Sequence, residues 1–297
     1  MIEKFSVGIF FVLTSFLFGS AQACSFNCGG PYTDGNEFGL KAPSHSGFKT
    51  HEFYNMPKKA HSFSYIKSKA EARSGKAYQR FELRDGDCFP PPNGGWNDCK
   101  TDRDRFEFSS KPRQKPSGKQ CYGYSLKLDK DFQSVHPTNT DLGQVHQIGG
   151  PKGTAGGFKS FPPLIQIGAK YDKLVFGWHE LTGDENNIID RKREFELANL
   201  SDMIGVWTDI SFCLDFKNSR MDAWVNGEKK VEVMKSPINF KPKSIYFKYG
   251  IYRSFVSRYK NIHGNIPTQI VYYDEVRRGD SLEKVDVNFN PKLKPVD

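Results

Sequence analysis

The chain has 297 residues, a formal net charge of +9, a mean hydropathy of −0.62 and 14% aromatic side chains. After the first 23 residues no stretch is long and apolar enough for a bilayer span, which excludes membrane helices, and what remains suffices for one large β-domain or two small domains. The positive balance favours an acidic partner: an anionic polysaccharide, a nucleic acid or a membrane surface.

Residues 1–23 read as a signal peptide. Lys4 supplies a positive charge, Phe5 to Phe18 an apolar run, and Ala21-Gln22-Ala23 a small-residue cleavage site. Cleavage after Ala23 would send the chain to the periplasm or the medium. Cys24 offers the competing reading, a lipoprotein cysteine, although the leucine usual before one is absent. Residues 24–60 are rich in Gly, Ser, Pro and His and read as an irregular arm, which a Cys24–Cys28 bridge would pin. Residues 61–297 show no composition break and read as one domain. With Cys88, Cys99, Cys121 and Cys213 the cysteines number six, enough for three disulfides in an oxidising compartment. Cys88 and Cys99 bracket a loop rich in Pro and Gly and are the favoured pair. No C-x-x-C spacing supports zinc.

From there short strand-like segments recur between turn signals, at 77–84, 103–108, 122–128, 143–148, 164–167, 173–178, 207–216, 220–225, 229–234, 244–249 and 269–276. Asn226-Gly227 between two of them is a hairpin signal, because both turn positions need positive φ. Residues 191–203 read as a short helix. Many strands without crossover helices predict an all-β, antiparallel sandwich or jelly roll.

Four sets of polar residues fall where a strand would carry apolar ones. Gln144 and His146 share one strand face, as do Tyr246, Lys248 and Tyr252 around Gly250. An amide can bind a carboxylate, a neutral imidazole can take a proton, and a phenol can give one. A strand glycine marks a close approach by ligand or backbone. Arg80, Glu82 and Arg84 share a face, as do Arg103, Arg105 and Glu107. A buried Glu could fix a guanidinium and leave its other donors for a substrate carboxylate, or the set could be a cross-strand ion-pair ladder. His179 reads as a packed strand end. Asp85-Gly86-Asp87 offers carboxylates to a structural Ca2+, without a full EF-hand-like loop.

In chain order, Arg105-Phe106-Glu107-Phe108, Gln144-Val145-His146 and Tyr246-Phe247-Lys248-Tyr249-Gly250-Ile251-Tyr252 resemble the R-S/T-E-L, Q-I/V-H and Y-F-K-x-G-x-Y motifs of jelly-roll alginate lyases. Arg80-Phe81-Glu82-Leu83-Arg84-Asp85-Gly86-Asp87-Cys88, Tyr122-Gly123-Tyr124-Ser125 and Tyr272-Tyr273-Asp274-Glu275 extend the likeness to the heparin lyase I and glucuronan lyase type, over roughly residues 75–280. The resemblance implies a concanavalin-like β-jelly-roll sandwich with a concave substrate groove. It implies β-elimination on a uronate polysaccharide, with glucuronan-like polymers first, then alginate, then heparin-like chains. Gln144 and Arg105 would neutralise the uronate carboxylate, His146 would be the base for one C5 configuration, and Tyr252 the acid. For the opposite configuration Tyr252 would do both jobs. Lys248, Tyr246, Arg80 and Arg84 would bind the anionic chain, and Arg84 is the alternative to Arg105. No cofactor or catalytic metal is implied, and neither a nucleic-acid partner nor an oligomer is expected. Two other classes remain open: a glycoside hydrolase, which needs two carboxylates flanking the bond, and a lectin-like module, which needs no acid–base pair.

Overall fold

The computed structural model describes residues 49–51, 59–88, 97–111, 113–148, 162–183, 188–234 and 242–296. The signal segment, Cys24 and Cys28 lie outside the described residues. Fourteen strands are described: β1 (Lys49–His51), β2 (Phe63–Lys67), β3 (Ala77–Leu83), β4 (Arg103–Lys111), β5 (Lys119–Leu128), β6 (Asn139–Ile148), β7 (Ile165–Lys170), β8 (Lys173–Gly183), β9 (Ile188–Asn199), β10 (Thr208–Asp215), β11 (Arg220–Val225), β12 (Glu228–Met234), β13 (Ser244–Ser254) and β14 (Gln269–Gly279). They form two antiparallel seven-stranded sheets, in the orders β1-β4-β13-β6-β7-β8-β9 and β12-β11-β10-β5-β14-β3-β2. Among the described residues no helix is long and apolar enough to cross a membrane.

The two-residue period of each strand makes the sandwich. Phe81 and Leu83 of β3, Phe106 and Phe108 of β4, Phe247, Tyr249 and Ile251 of β13, and Val271 and Tyr273 of β14 all point into one core. Phe63, Phe81, Phe108, Tyr249 and Tyr273 meet mainly edge-to-face, at centroid distances of 4.8 to 5.7 Å. Each such ring removed from water contributes about 1.5–3 kcal/mol.

The expected hairpin is present: Asn226 and Gly227 take φ of 50° and 80° between β11 and β12. The Cys88–Cys99 bridge is formed, and Cys121–Cys213 joins directly opposed positions of β5 and β10. Residues 191–203 are not a helix. They form most of β9, followed by a 3-10 turn at Leu200–Met203. Their charged residues favour a helix locally, but Phe195 and Leu197 alternate, and pairing with β8 along its whole length overrides the propensity. A helix not foreseen, α1 (Val256–His263), follows β13. Its first turn is capped from far away in sequence, since Ser257 N and Oγ donate to Asp102 at 2.9 and 2.6 Å.

Candidate active site

The outward face of the first sheet gathers most of the singled-out side chains. On β13, Ile245, Phe247, Tyr249 and Ile251 are fully buried in the core, so Tyr246, Lys248 and Tyr252 project outward. On β6, Val145 faces the core and its neighbours Gln144 and His146 face out. Register sets Tyr246 opposite His146 and Lys248 opposite Gln144. It sets Tyr252 opposite both Arg105 and Asp141. Gly250 lies opposite Glu107 with φ +128°, and a Cβ there would come 2.3 Å from Phe106 O. The close approach that requires this glycine is therefore made by the β4 backbone.

Asp141 joins this face because the strand period is broken. The register of β13 on β6 shifts between Tyr249 and Tyr252, and that of β6 on β7 between Asp141 and Gly143. At this bulge Leu142 and Gly143 both turn inward: Leu142 is fully buried, and a Cβ on Gly143 would meet the Tyr124 hydroxyl at 2.7 Å. The Tyr273 hydroxyl lies 2.5 Å from Leu142 O and 2.8 Å from Gly250 O, within hydrogen-bonding distance of both irregular carbonyls.

Glu107, only 3% exposed, is the hub. Gln144 Nε2 donates to its Oε1 at 2.6 Å, Lys248 Nζ to its Oε2 at 2.5 Å, and Arg105 Nη1 reaches Oε2 at 3.4 Å. The fork on Arg105 is not supplied by Glu107, as the spacing suggested, but by Asp98. Arg105 Nε and Nη2 donate to the two Asp98 oxygens at 3.0 and 2.6 Å. Asp98 is delivered by the turn that the Cys88–Cys99 bridge closes, an approach that strand spacing cannot reveal. The Arg105 guanidinium also lies 4.0 Å from the centroid of the Tyr252 ring.

Tyr252 and His146 stand in complementary protonation states. The Tyr252 hydroxyl accepts from Arg103 Nε at 2.8 Å. Burial pushes this phenol up, Arg105 and Arg103 pull it down, and burial wins, so it holds its proton at neutral pH. Burial, then the positive charges of Lys248 and Arg105, push the His146 imidazole down to about 3, so it is neutral and can accept a proton. Its ring stacks on Tyr246 at 5.5 Å, and Arg113 lies over Tyr246 at 5.2 Å. His146 Nδ1 contacts the Gln147 backbone, 2.9 Å from N and 3.0 Å from O, while Nε2 has no hydrogen-bond partner among the described residues. In the tautomer whose Nδ1–H donates to Gln147 O, Nε2 presents its lone pair outward.

Beyond β6 a polar chain crosses three more strands. Gln166 Nε2 donates to Asp141 at 2.8 Å, His179 Nε2 lies 2.8 Å from Gln166 Oε1, and His179 Nδ1 lies 2.6 Å from Asp190. His179 is thus part of the outward polar face and not a packed strand end. Burial raises Asp141 to about 7, with Glu107 adding to the rise and Lys192, Gln166 and Lys248 opposing it. The fold therefore binds this proton more tightly than the unfolded chain, so stability falls as pH rises between about 4 and 7, and the penalty is complete above 7. Asp141→Asn is expected to unfold at higher urea than the parent at pH 8, by up to about 4 kcal/mol, and to gain little at pH 4. An equal gain at both pH values would refute the buried proton.

Arg80 and Arg84 are not brought to this face. With Phe81 and Leu83 in the core, Arg80 and Glu82 point to the outer side of the second sheet, where Arg80 and Arg84 each grip Glu82 at 2.5 Å. These ion pairs run along one strand, not across strands as a ladder would, and of the two alternative arginines Arg105 is the one on the outward face of the first sheet. Asp85 and Asp87 are taken up by protein cations: Lys260 pairs with Asp85, and Lys59 and His61 hold Asp87 at 2.6 and 2.8 Å. Among the described residues no three His, Cys, Asp or Glu side chains cluster as a metal site would need.

The family model described as polysaccharide lyase matches residues 44–277. Among solved structures the chain is similar to the endo-β-1,4-glucuronan lyase of the fungus Trichoderma reesei, at 17% identity and a TM-score of 0.56, covering 80% of this chain and 95% of that one. It is also similar to alginate lyase A1-II′ of polysaccharide lyase family 7, at 15% identity and a TM-score of 0.47, covering 76% and 86%. No curated protein matches the chain in sequence.

Proposed function

The chain belongs to the polysaccharide lyase family, and from that premise we propose that it cleaves an acidic, uronate-containing polysaccharide by β-elimination, glucuronan-like polymers first among the candidates. The observation that carries the proposal is the cluster on the first sheet. A neutral imidazole, a protonated phenol and a set of donors suited to a carboxylate share one face.

The C5 proton of a uronate is a poor acid because the adjacent carboxylate is negative. Arg105 and the second amide proton of Gln144 neutralise that carboxylate, so charge can build on it as an enolate. His146 Nε2 takes the C5 proton, and the electron pair left behind forms the C4–C5 double bond as the C4–O4 bond breaks. Tyr252 gives its proton to the departing O4, and the Arg103 donor stabilises the phenolate that results. For the opposite C5 configuration Tyr252 would serve as both base and acid, which requires it to enter the step as a phenolate, the form that Arg105 and Arg103 favour. Lys248, held by Glu107, and Tyr246 line the path of the anionic chain. Arg105 and Gln144 do the neutralising, so the reaction needs no metal cofactor. The two disulfides suit an oxidising compartment, which supports export through the N-terminal signal and action on an extracellular or periplasmic polymer.

The test is near-ultraviolet absorbance during incubation with glucuronan, alginate, heparosan, heparin and pectate. Elimination leaves a conjugated double bond, whereas hydrolysis does not. A rise on glucuronan is expected. New reducing ends without absorbance would mean hydrolysis, and retained binding without either would mean a lectin-like module.

A further inference from the structure

At one end of the sandwich, away from the catalytic cluster, the first turn of β5 and the last residues of β14 enclose a cleft of about 870 Å³ with the C-terminal segment. That is within the range, about 300–1,000 Å³, of sites that take small ligands. Its lining is mostly basic, although Asp215, opposite Lys119 in register, and Glu283 both interact electrostatically with Lys119. Lys115, Lys119, Arg278, Lys292 and Lys294 line it, and none of the four lysines has an ion-pair partner among the described residues. Asp280 is the one carboxylate in the lining, and it is paired with Lys284. Arg277, 1% exposed, forms part of the wall, bonded to Glu275 and to the carbonyl of Lys294, which ties the C-terminal segment to β14.

The wall is built and not merely a patch of surface lysines. Gln120 Nε2 donates to the carbonyls of Lys115 and Ser117 at 2.5 and 3.2 Å, and the Tyr122 hydroxyl donates to Gln114 at 2.8 Å. These bonds fix the loop that carries Lys115. Burial pushes the Arg278 guanidinium down, with Tyr122 opposing.

The cleft also adjoins the catalytic face. Gln114 is bonded through its backbone to Ile245 in both directions, at 2.9 and 2.8 Å. The next residues on either side, Arg113 and Tyr246, make the stack that ends on His146. Gln114, in the lining of the cleft, thus adjoins the Tyr246 end of that face. We propose that the Lys115–Lys119–Lys292–Lys294 cleft is a second binding site for the acidic polysaccharide, holding carboxylate-bearing sugars remote from the bond being cut. The proposal rests on the polyuronate reading above. A saccharide fits better than a nucleic acid because the cleft adjoins a saccharide-cleaving face and none of its lining side chains is aromatic, so it offers no surface for stacking bases.

The experiment compares the full chain with its Lys119→Ala/Lys292→Ala/Lys294→Ala variant. All three side chains are exposed, and none belongs to the catalytic cluster. Retardation is read in native gels containing polyglucuronate, alginate, a DNA duplex or neutral dextran, and kinetics are read on polyglucuronate and on a glucuronate tetrasaccharide. The variant is expected to be retarded about tenfold less by the polyuronate, with KM for the polymer raised by a similar factor. Its kcat, and its kinetics on the tetrasaccharide, should not change. The difference should shrink near 1 M salt, where screening acts within about 3 Å. Parental retardation and KM in the variant would overturn the proposal, as would a cleft that retards DNA and neither polyuronate. A parent chain that produces no absorbance on any polyuronate, beside a variant that has lost retardation, would reject the lyase reading and leave the second site standing.

Discussion

Tyr252→Phe is expected to keep the fold and lose turnover by about 10²–10⁴-fold, the usual contribution of a positioned acid or base. The substitution removes one oxygen from a ring that Arg105 and Lys248 still flank, at 4.0 and 5.8 Å from its centroid. Among the described residues the hydroxyl loses the bond that it accepts from the charged Arg103, worth about 1.5–3 kcal/mol. The melting temperature should therefore fall by only a few degrees while the absorbance rate collapses. His146→Ala is the companion measurement. An equal collapse assigns C5 proton abstraction to the imidazole, and a rate close to the parent's assigns both proton transfers to Tyr252. A Tyr252→Phe enzyme that retains parental turnover would remove the phenol from the mechanism.

Glu107→Ala is expected to cost both stability and activity. Glu107 and Lys248 are 3% and 8% exposed, and the same carboxylate also holds Gln144 and touches Arg105. Deleting one partner of a buried pair leaves the other charge uncompensated and costs about 3–5 kcal/mol. The donors for the substrate carboxylate would lose their aim in the same step. Glu107→Gln/Lys248→Met separates the two effects, because replacing both charges by groups of similar size restores most of the stability without restoring the site. Urea denaturation and the absorbance rate, measured together, decide it. A Glu107→Ala protein within about 1 kcal/mol of the parent would show that the cluster is more hydrated than its burial indicates.

On this face a neutral imidazole and a protonated phenol stand together. An unperturbed imidazole is already mostly neutral at pH 7, so lowering His146 keeps it uncharged at the cost of making it a weaker base. Burial first, then Lys248 and Arg105, keep His146 deprotonated, and in the proposed reaction the same two cations attract and neutralise the anionic substrate. Binding and proton transfer are thus coupled through the same two cations.

Much of the molecule was legible in the sequence because strand chemistry is local. Alternation in 244–249 and 143–148 put Tyr246 with Lys248, and Gln144 with His146, on shared strand faces, and the Asn226-Gly227 pair located a hairpin, since both signals depend only on side-chain period and backbone φ. What needed the tertiary structure was whatever depends on neighbours distant in the chain. Pairing with β8 turned a helix-favouring charged run into β9. A bulge against β7 and β13, invisible to a two-residue period, put Asp141 opposite Tyr252 on the outward face. Asp98 reached Arg105 through a disulfide-closed turn, and the second sheet carried Arg80 and Arg84 to the far side despite a motif nearly identical to that of Arg105. An R-F-E triplet states which side chains share a face, and only the order of strands in the sheets states which face that is.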